Sequence, residues 1–457
     1  MERWSVDLMG RLLPRHLEII YEINDLFLES VKEKYPDDAD LLQRISFIEE
    51  NDHKQIRMPY LSIVGSHTIN GVADLHTELL KTTVFKDFYK LFPERFQNKT
   101  NGITPRLWLR NTNPELSELI SEKIGGGWIT DLQKLRKLEP FADDPEFQEA
   151  WRSVKRIKKE QLANWLKQTS GVIIDPESLF DVQIKRIHEY KRQLLNILHV
   201  IYLYNKILEH PELPFVPRTI LLAGKAAPGY YMAKLIINLA NDVARVINSD
   251  PAVQGRLNLV FVPNYNVSVA EKIIPATDIS QHISTAGTEA SGTGNMKFIL
   301  NGALIQGTMD GANIEIAEEV GRENIFTFGL SSDEVSILAE SGYNPRVSYQ
   351  NNPGLIEALS MINTGYFNRD KPHLYNDLYN SLVFEDKYML LEDFASYDEC
   401  RQKVMNTWKD QNTWTRMSIL NTAGSGKFSS DRTIAEYAKD IWGLEAVTVE
   451  LQGKKVR

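Results

Sequence analysis

From about residue 170 onward, short apolar runs alternate with helix-length amphipathic stretches, and this alternation restricts the chain to parallel βαβ units. Phe180, Val182 and Ile184 alternate with Asp181 and Gln183, the spacing of a strand. A long apolar helix is expected over 193–208. A second strand over 219–223 leads through a Gly/Pro turn into a helix whose Met232, Leu235, Ile236, Leu239, Val243 and Val246 share one face. Residues 257–262 read as a third strand, ended by Pro263. Ser268 and Glu271, at capping-box spacing, are expected to open the next helix. Residues 303–308 and 325–328 supply two more strands. The pattern predicts a doubly wound α/β sheet, in which ligands bind beyond the carboxyl ends of the strands.

Residues 1 to about 105 read as mostly helical, because Ile19, Ile20, Ile23, Leu26 and Phe27 recur at helical spacing. The breakers Asn101-Gly102 and Thr104-Pro105 place a domain boundary within 97–106. Near the end, Ser430 and Asp431 are expected to cap a helix carrying Ile434, Tyr437, Ala438 and Ile441. The expected organisation is a helical segment over 1–105, an α/β domain over 106–430, and a terminal helix and tail over 431–457.

Composition narrows the function classes. A formal charge of -9 argues against nucleic acid as a partner, since that binding neutralises phosphates with Lys and Arg. No apolar stretch reaches bilayer-spanning length, and the first residues lack the layout of a signal peptide, so no membrane partner and a cytoplasmic location are expected. The single cysteine, Cys400, excludes an intramolecular disulfide framework; its acidic surroundings suggest an exposed, non-catalytic thiol. The nine histidines show no metal-ligand spacing, and no metal site is expected.

Three loops expected at the carboxyl edge carry chemistry. Lys185-Arg186-Ile187-His188-Glu189-Tyr190-Lys191-Arg192 places four cations just before a helix, where each opposes the macrodipole by a few tenths to about 1 kcal/mol. A phosphate there would turn that cost into a site, with a solvated basic face as the alternative. His188-Glu189 is not a zinc motif, because Arg192 stands where H-E-x-x-H needs its second histidine. Asn264-Tyr265-Asn266 follows the third strand, where a phenol and an amide could reach a phosphate; turn chemistry explains the triplet equally well. Residues 289–297, Glu-Ala-Ser-Gly-Thr-Gly-Asn-Met-Lys, set two glycines before Lys297. Glycines let backbone N–H groups approach an anion, and a desolvated lysine offers a neutral amine to an aldehyde. A helix-capping loop with a solvated lysine is the competing reading. Gly424-Ser425-Gly426-Lys427 imitates a P-loop but has Asn421 for the first glycine and Phe428 for the magnesium-binding hydroxyl.

The motifs EASGTGNMK, KRIHEYKRQ, GKAAPGYYMAK, STAGTEASG, GTMDGANIE, QNKTNGITPR and SGKFSSDRTI together resemble the α-glucan phosphorylases of glycogen, starch and maltodextrin, with a match running nearly end to end. The resemblance implies a two-domain GT-B-type glycosyltransferase whose Rossmann-like domain is present here. It implies pyridoxal 5'-phosphate bound as a Schiff base to Lys297, and reversible phosphorolysis of terminal α-1,4-linked glucose to glucose 1-phosphate. By the same resemblance Tyr265, Thr293, Gly294, Lys185 and Trp108 line the cofactor pocket. Arg186 and Lys191 hold substrate phosphate, and Asn101, Tyr190, Glu289, Ser291 and Gly292 bond the glucosyl unit. Lys185, Arg186, Lys191 and Lys297 would form the catalytic set, with α-1,4-glucan and inorganic phosphate as partners and a homodimer as the full-length form.

Two departures qualify this. Asn266 stands where many animal members have Arg, so the cofactor phosphate has one cation fewer. The segment 1–5 aligns with an internal family segment, so residues 1–105 are expected to be the helical tail of an otherwise missing N-terminal domain. A chain of that kind is expected to bind the cofactor weakly and turn over glucan poorly. A nucleotide-sugar transferase without pyridoxal phosphate, or a non-catalytic truncated module, are the alternatives.

Overall fold

The computed structural model describes residues 2–50, 53–447, 449–451 and 454–456, the last two segments by backbone only. The chain forms two compact units, one of Met1–Thr100 with Glu436–Arg457, the other of Asn101–Ala435.

In the smaller unit the helix Pro14–Lys34 buries Ile20, Asn24, Phe27 and Val31. Phe27 stacks on Phe47 and Phe88 at centroid distances of 5.6 and 6.2 Å. The buried Asn24 amide oxygen accepts from the Phe47 N–H at 2.7 Å, which ties the helix to the next segment. Ile19, Ile23 and Leu26 are exposed, so the apolar positions expected to form one stripe divide between two faces. The unit is also less helical than its periodicity suggests. Arg3–Ser5, Gln55–Arg57 and Ile48–Glu49 form an antiparallel sheet, and Ile69–Gly71 pairs in parallel with Phe96–Asn98. These strands have two or three residues each, too short for a period-2 signal.

The larger unit is built on a parallel sheet of six strands, β1 (Leu179–Ile184), β2 (Arg218–Ala223), β3 (Leu257–Val262), β4 (Ile279–His282), β5 (Leu304–Gly307) and β6 (Phe326–Thr327). Their spatial order is β3-β2-β1-β4-β5-β6. Helices α1 (Pro145–Ser170), α2 (Gln193–Glu209), α3 (Tyr231–Ser249), α4 (Val267–Ala276), α5 (Gly294–Leu300), α6 (Ala312–Val320), α7 (Leu390–Trp408) and α8 (Gln411–Ala423) surround it. Phe180, Val182 and Ile184 face a core shared with α1, α4, α5 and α6. Leu179 joins α2, α3 and α7 on the other face.

Five strands fall where periodicity puts them. The sixth, β4, escapes it, because Ile279-Ser280-Gln281-His282 offers one aliphatic residue in four. The polar residues of β1 are not solvent-facing, since all six of its residues are buried. The Asp181 carboxylate pairs with Arg401, lies 3.8 Å from Arg218, and accepts from the Gln281 amide at 2.8 Å. In a sheet covered on both sides, strand alternation reports internal polar pairing rather than exposure.

Three smaller expectations are corrected. The cap of α4 is Asn266, whose amide oxygen accepts from the Val269 N–H at 3.2 Å, and not Ser268. Asp431 does not cap its helix: its N–H donates to the Ser429 hydroxyl at 3.2 Å and its carboxylate pairs with Arg106. Cys400 lies inside α7 at 3% exposure, and burial pushes its thiol up to about 11; of its acidic neighbours Glu399 is exposed, while Asp398 turns inward to pair with His199 at 2.9 Å.

Candidate active site

Ligand chemistry gathers where β1 and β4 lie side by side, the point at which the strand order reverses direction. Lys185 extends β1, its N–H donating to Ala223 O at 3.0 Å. Gly224 makes this close approach possible, since a Cβ there would stand 2.0 Å from Lys185 O. The following loop is held by its own side chains. The Tyr190 N–H donates to His188 Nδ1 at 3.4 Å, and Tyr230 donates its hydroxyl to Glu189 at 2.6 Å.

Arg192 ends this loop and corrects part of the cation argument. It is fully buried at φ 55°, pairs with Asp393 at 2.6 Å, and donates to Ile283 O at 2.6 Å and Ser284 O at 3.2 Å. Its charge is spent inside the protein, tying the β1 loop to the β4 loop. Lys191 is directed oppositely: its ammonium bonds the Glu289 carboxylate and lies 4.6 Å from the Tyr190 ring centroid.

The loop after β4 is wrapped around one buried carboxylate. Asp310 accepts from the N–H groups of Gly287 at 3.0 Å, Glu289 at 2.9 Å and Gly311 at 2.9 Å, and from the Ser284 hydroxyl at 3.1 Å. Burial raises this carboxyl above its ordinary value despite those donors. Gly292 at φ 76° then turns the chain into α5, which carries Lys297. Lys297 Nζ stands 4.0 Å from the Trp108 ring centroid. Asn301 pins that arrangement, donating to Trp108 O at 2.7 Å and to Lys297 O at 2.9 Å.

These elements enclose a cavity of about 230 Å³ lined by Lys185, Lys191, Tyr265, His282, Glu289, Ser291, Gly292, Thr293, Gly294 and Lys297, together with Ile184, Ser284, Asn295, Asp310 and Asn313. Larger hollows of about 420 and 410 Å³ elsewhere in the unit bring together neither a glycine loop nor Lys297. Burial pulls Lys185 down to about 7, with Glu289 opposing and Lys191 adding to the effect. Burial also lowers Lys297. Burial acts to lower Lys191, but the Glu289 carboxylate and the Tyr190 hydroxyl together hold it above its usual value. Burial, reinforced by Lys185 and Lys191, keeps His282 well below the usual imidazole range. Burial raises Tyr265.

The arrangement fits a phosphate-bearing aldehyde. Lys297 supplies a desolvated amine on one wall. Lys185, on the same cavity, has for its hydrogen-bond partner the imidazole of His282 at 3.4 Å and not a carboxylate. A dianionic phosphate would supply the counter-charge that the protein withholds.

Of the residues singled out in the sequence, the fold brings together Lys185, Lys191, Tyr265, Glu289, Ser291, Gly292, Thr293, Gly294 and Lys297, with Trp108 on Lys297 and Tyr190 on Lys191. Arg186 is exposed and does not line the cavity; its carbonyl accepts from Gln193 at 3.0 Å. Asn101 does not line it either; its carbonyl lies 3.5 Å from Arg432. Asn266 is occupied as the α4 cap. His282, Ser284, Asn295, Asp310 and Asn313 were not singled out. Asp310 and Asn313 fall in GTMDGANIE, and His282 lies in the strand that periodicity passes over. Lys427 of the P-loop look-alike pairs with Glu315 at 2.8 Å, and Gly424 and Gly426 pack closely on Val320 and Gln133.

The family profile of the carbohydrate phosphorylases matches residues 1–444. The chain belongs to the carbohydrate phosphorylase family. Among similar phosphorylases, the glycogen phosphorylase of Synechocystis sp. is 54% identical over 452 residues, covering 99% of this chain and 53% of its own. The muscle form of human glycogen phosphorylase is 54% identical over 445 residues, covering 97% and 53%. The liver form from Bos taurus is 52% identical over 451 residues, covering 99% and 53%. The chain therefore spans about half the length of the curated phosphorylases it matches. Among the described residues, no cluster of potential metal ligands is found, and no helix is long and apolar enough to cross a membrane.

Proposed function

We propose that this chain forms the cofactor-holding side of an α-1,4-glucan phosphorylase, which transfers terminal glucose reversibly between a glucan and inorganic phosphate. The observation that carries this reading is the single cavity joining the Lys297 amine to the Lys185 ammonium across a glycine turn. Pyridoxal 5'-phosphate fits that donor set, with Lys297 as covalent anchor, and a Rossmann-like domain of GT-B type accords with the strand order. A homodimer and a cytoplasmic location belong to the same proposal, carried by family membership alone.

The chemistry supplied by pyridoxal phosphate when bound is a second phosphate group, able to exchange a proton with inorganic phosphate. The chain's own residues set the conditions for that exchange. Lys185 offers its ammonium to the cofactor phosphate, and Trp108 and Tyr265 close the aromatic side of the pocket. Lys191 offsets the repulsion between two phosphates and is held in place by Glu289 until substrate arrives. Glu289, Ser291 and Gly292 present hydrogen-bonding groups to the glucosyl unit. Asp310 fixes that loop, so these groups meet an oxocarbenium-like centre without reorganising. Arg186 for substrate phosphate, and Asn101 and Tyr190 for the sugar, are assigned by family resemblance; Arg186 lies exposed in this structure.

Borohydride reduction in the presence of pyridoxal phosphate, followed by peptide mapping, tests the reading. Label is expected on the Lys297 peptide. Label spread over surface lysines with none there would sink the proposal.

A further inference from the structure

His282 lies on β4 with Ser280, two residues apart and therefore on the same strand face. Its Nε2 lies 3.0 Å from the Ser280 hydroxyl, and its Nδ1 lies 3.4 Å from Lys185 Nζ. The Ser280 hydroxyl is oriented by Leu304 O, to which it donates at 3.4 Å. With that proton committed, the serine oxygen accepts from Nε2–H, and Nδ1 carries the lone pair. The chain of donors thus runs in one direction: Lys185 ammonium to His282, His282 to Ser280, Ser280 to the β5 backbone.

The ring has little freedom to leave this chain. Phe298 of α5 meets it edge-on at 5.8 Å, and a Cβ on Gly294 would stand 3.6 Å from its Cε1. The Asn313 amide donates to His282 O at 3.2 Å, fixing the backbone that carries it. The charged groups around the same cavity are Lys185, Lys191, Lys297, Glu289 and Asp310.

We infer that His282, oriented by Ser280, is the positioning residue for the phosphate-binding Lys185, acting as a neutral acceptor that aims the ammonium without neutralising it. A carboxylate at position 282 would fix the lysine equally well but cancel the charge an incoming phosphate needs. An imidazole held in the Nε2–H form fixes the direction and leaves the charge. The inference rests on the proposed function for the identity of the phosphate, while the Ser280–His282–Lys185 chain itself belongs to the protein alone.

The test uses the full chain and pyridoxal phosphate. His282→Phe keeps the ring and removes the acceptor; His282→Asn returns an acceptor oxygen near the place of Nδ1. His282→Phe is expected to weaken cofactor binding by roughly ten- to a hundredfold, the range for a lost hydrogen bond to a charged group. His282→Asn is expected to stay within about threefold of the parent, by the same conversion of a few tenths of a kcal/mol. The 31P resonance of the bound cofactor should shift in His282→Phe and return in His282→Asn. Equal affinity in His282→Phe and the parent, or equal loss in His282→Phe and His282→Asn, would overturn the inference, the second outcome assigning the ring a packing role only. If His282→Phe does not fold, 15N spectra of the unaltered chain decide: a neutral Nε2–H tautomer at pH 6 upholds the inference, and a protonated ring or Nδ1–H tautomer refutes it. Failure of the unaltered chain to label at Lys297 would overturn the proposed function, and with it the cofactor phosphate as the ligand. Labelling at Lys297 with a null effect of His282→Phe overturns only the inference.

Discussion

Lys297 Nζ stands 4.0 Å from the centre of the Trp108 ring, the only aromatic wall the structure gives this amine among its described cation–ring contacts. The ring attracts the ammonium, but it also excludes water, and burial is what lowers this lysine. Trp108→Ala should therefore rehydrate the amine and move its titration upward. A rise of one pH unit would slow reductive labelling at pH 7 by about tenfold. Trp108→Phe should label at nearly the parent rate, and equal rates in all three proteins would contradict the account.

Lys185 has a worked pH dependence. Its folded value of about 7 lies below the ordinary 10.5, so between these limits the unfolded chain binds the extra proton. The stability it contributes is present above 10.5 and is lost as pH falls through 7. Denaturant midpoints of the cofactor-free chain should thus rise from pH 7 to pH 10 relative to Lys185→Met. A bound phosphate reverses the preference by favouring the ammonium. Calorimetry of cofactor binding in buffers of different ionisation heat should show greater proton uptake near pH 8 for the parent than for Lys185→Met.

Asp310 organises the sugar-facing loop through three backbone N–H groups. Asp310→Ala leaves these donors without their acceptor, at about 1–3 kcal/mol for each one that water cannot reach. A lower melting temperature is expected, with faster amide exchange confined to 284–292 and Gly311. Asp310→Asn, which keeps one acceptor oxygen, should fall between. Exchange spread evenly over the sheet would show that Asp310 serves global packing instead.

The Arg192–Asp393 pair is buried on both sides at 2.6 Å. Arg192→Met should cost about 3–5 kcal/mol in urea unfolding, because it strands a buried carboxylate. Arg192→Met combined with Asp393→Leu should cost clearly less than the sum of the single changes. Strict additivity would mean that the two side chains do not act as a pair.

Much of this organisation was legible in the chain, and the omissions have physical reasons. β1, β2 and β3 each carry six residues of apolar pattern bounded by turns, and their loops delivered Lys185, Lys191 and Tyr265. β4 is short and mostly polar because its Gln281 and Ser280 bond to neighbouring strands within the sheet. His282 was hidden with it. Asp310 was hidden differently, since a carboxylate whose donors are three backbone N–H groups and one serine hydroxyl has no charged partner to notice in sequence. Four cations before one helix suggested an anion site, yet Arg192 turned inward and Arg186 lies exposed; position along a loop does not say which side of it a side chain takes.

The seam between β1 and β4 is short, pairing Asp181 with Ile279 and Val182 with Ser280. Lys185 lies past one side of that seam and Lys297 past the other, with β2, β3 and their helices intervening in the chain. The two lysines consequently share a cavity only after the distant halves of the sheet have met, an encounter slowed by loop closure. Capture of the cofactor then reports on assembly history: an early intermediate holding either half would be blind to pyridoxal phosphate, and the appearance of its bound absorbance during refolding would time the closing of the sheet.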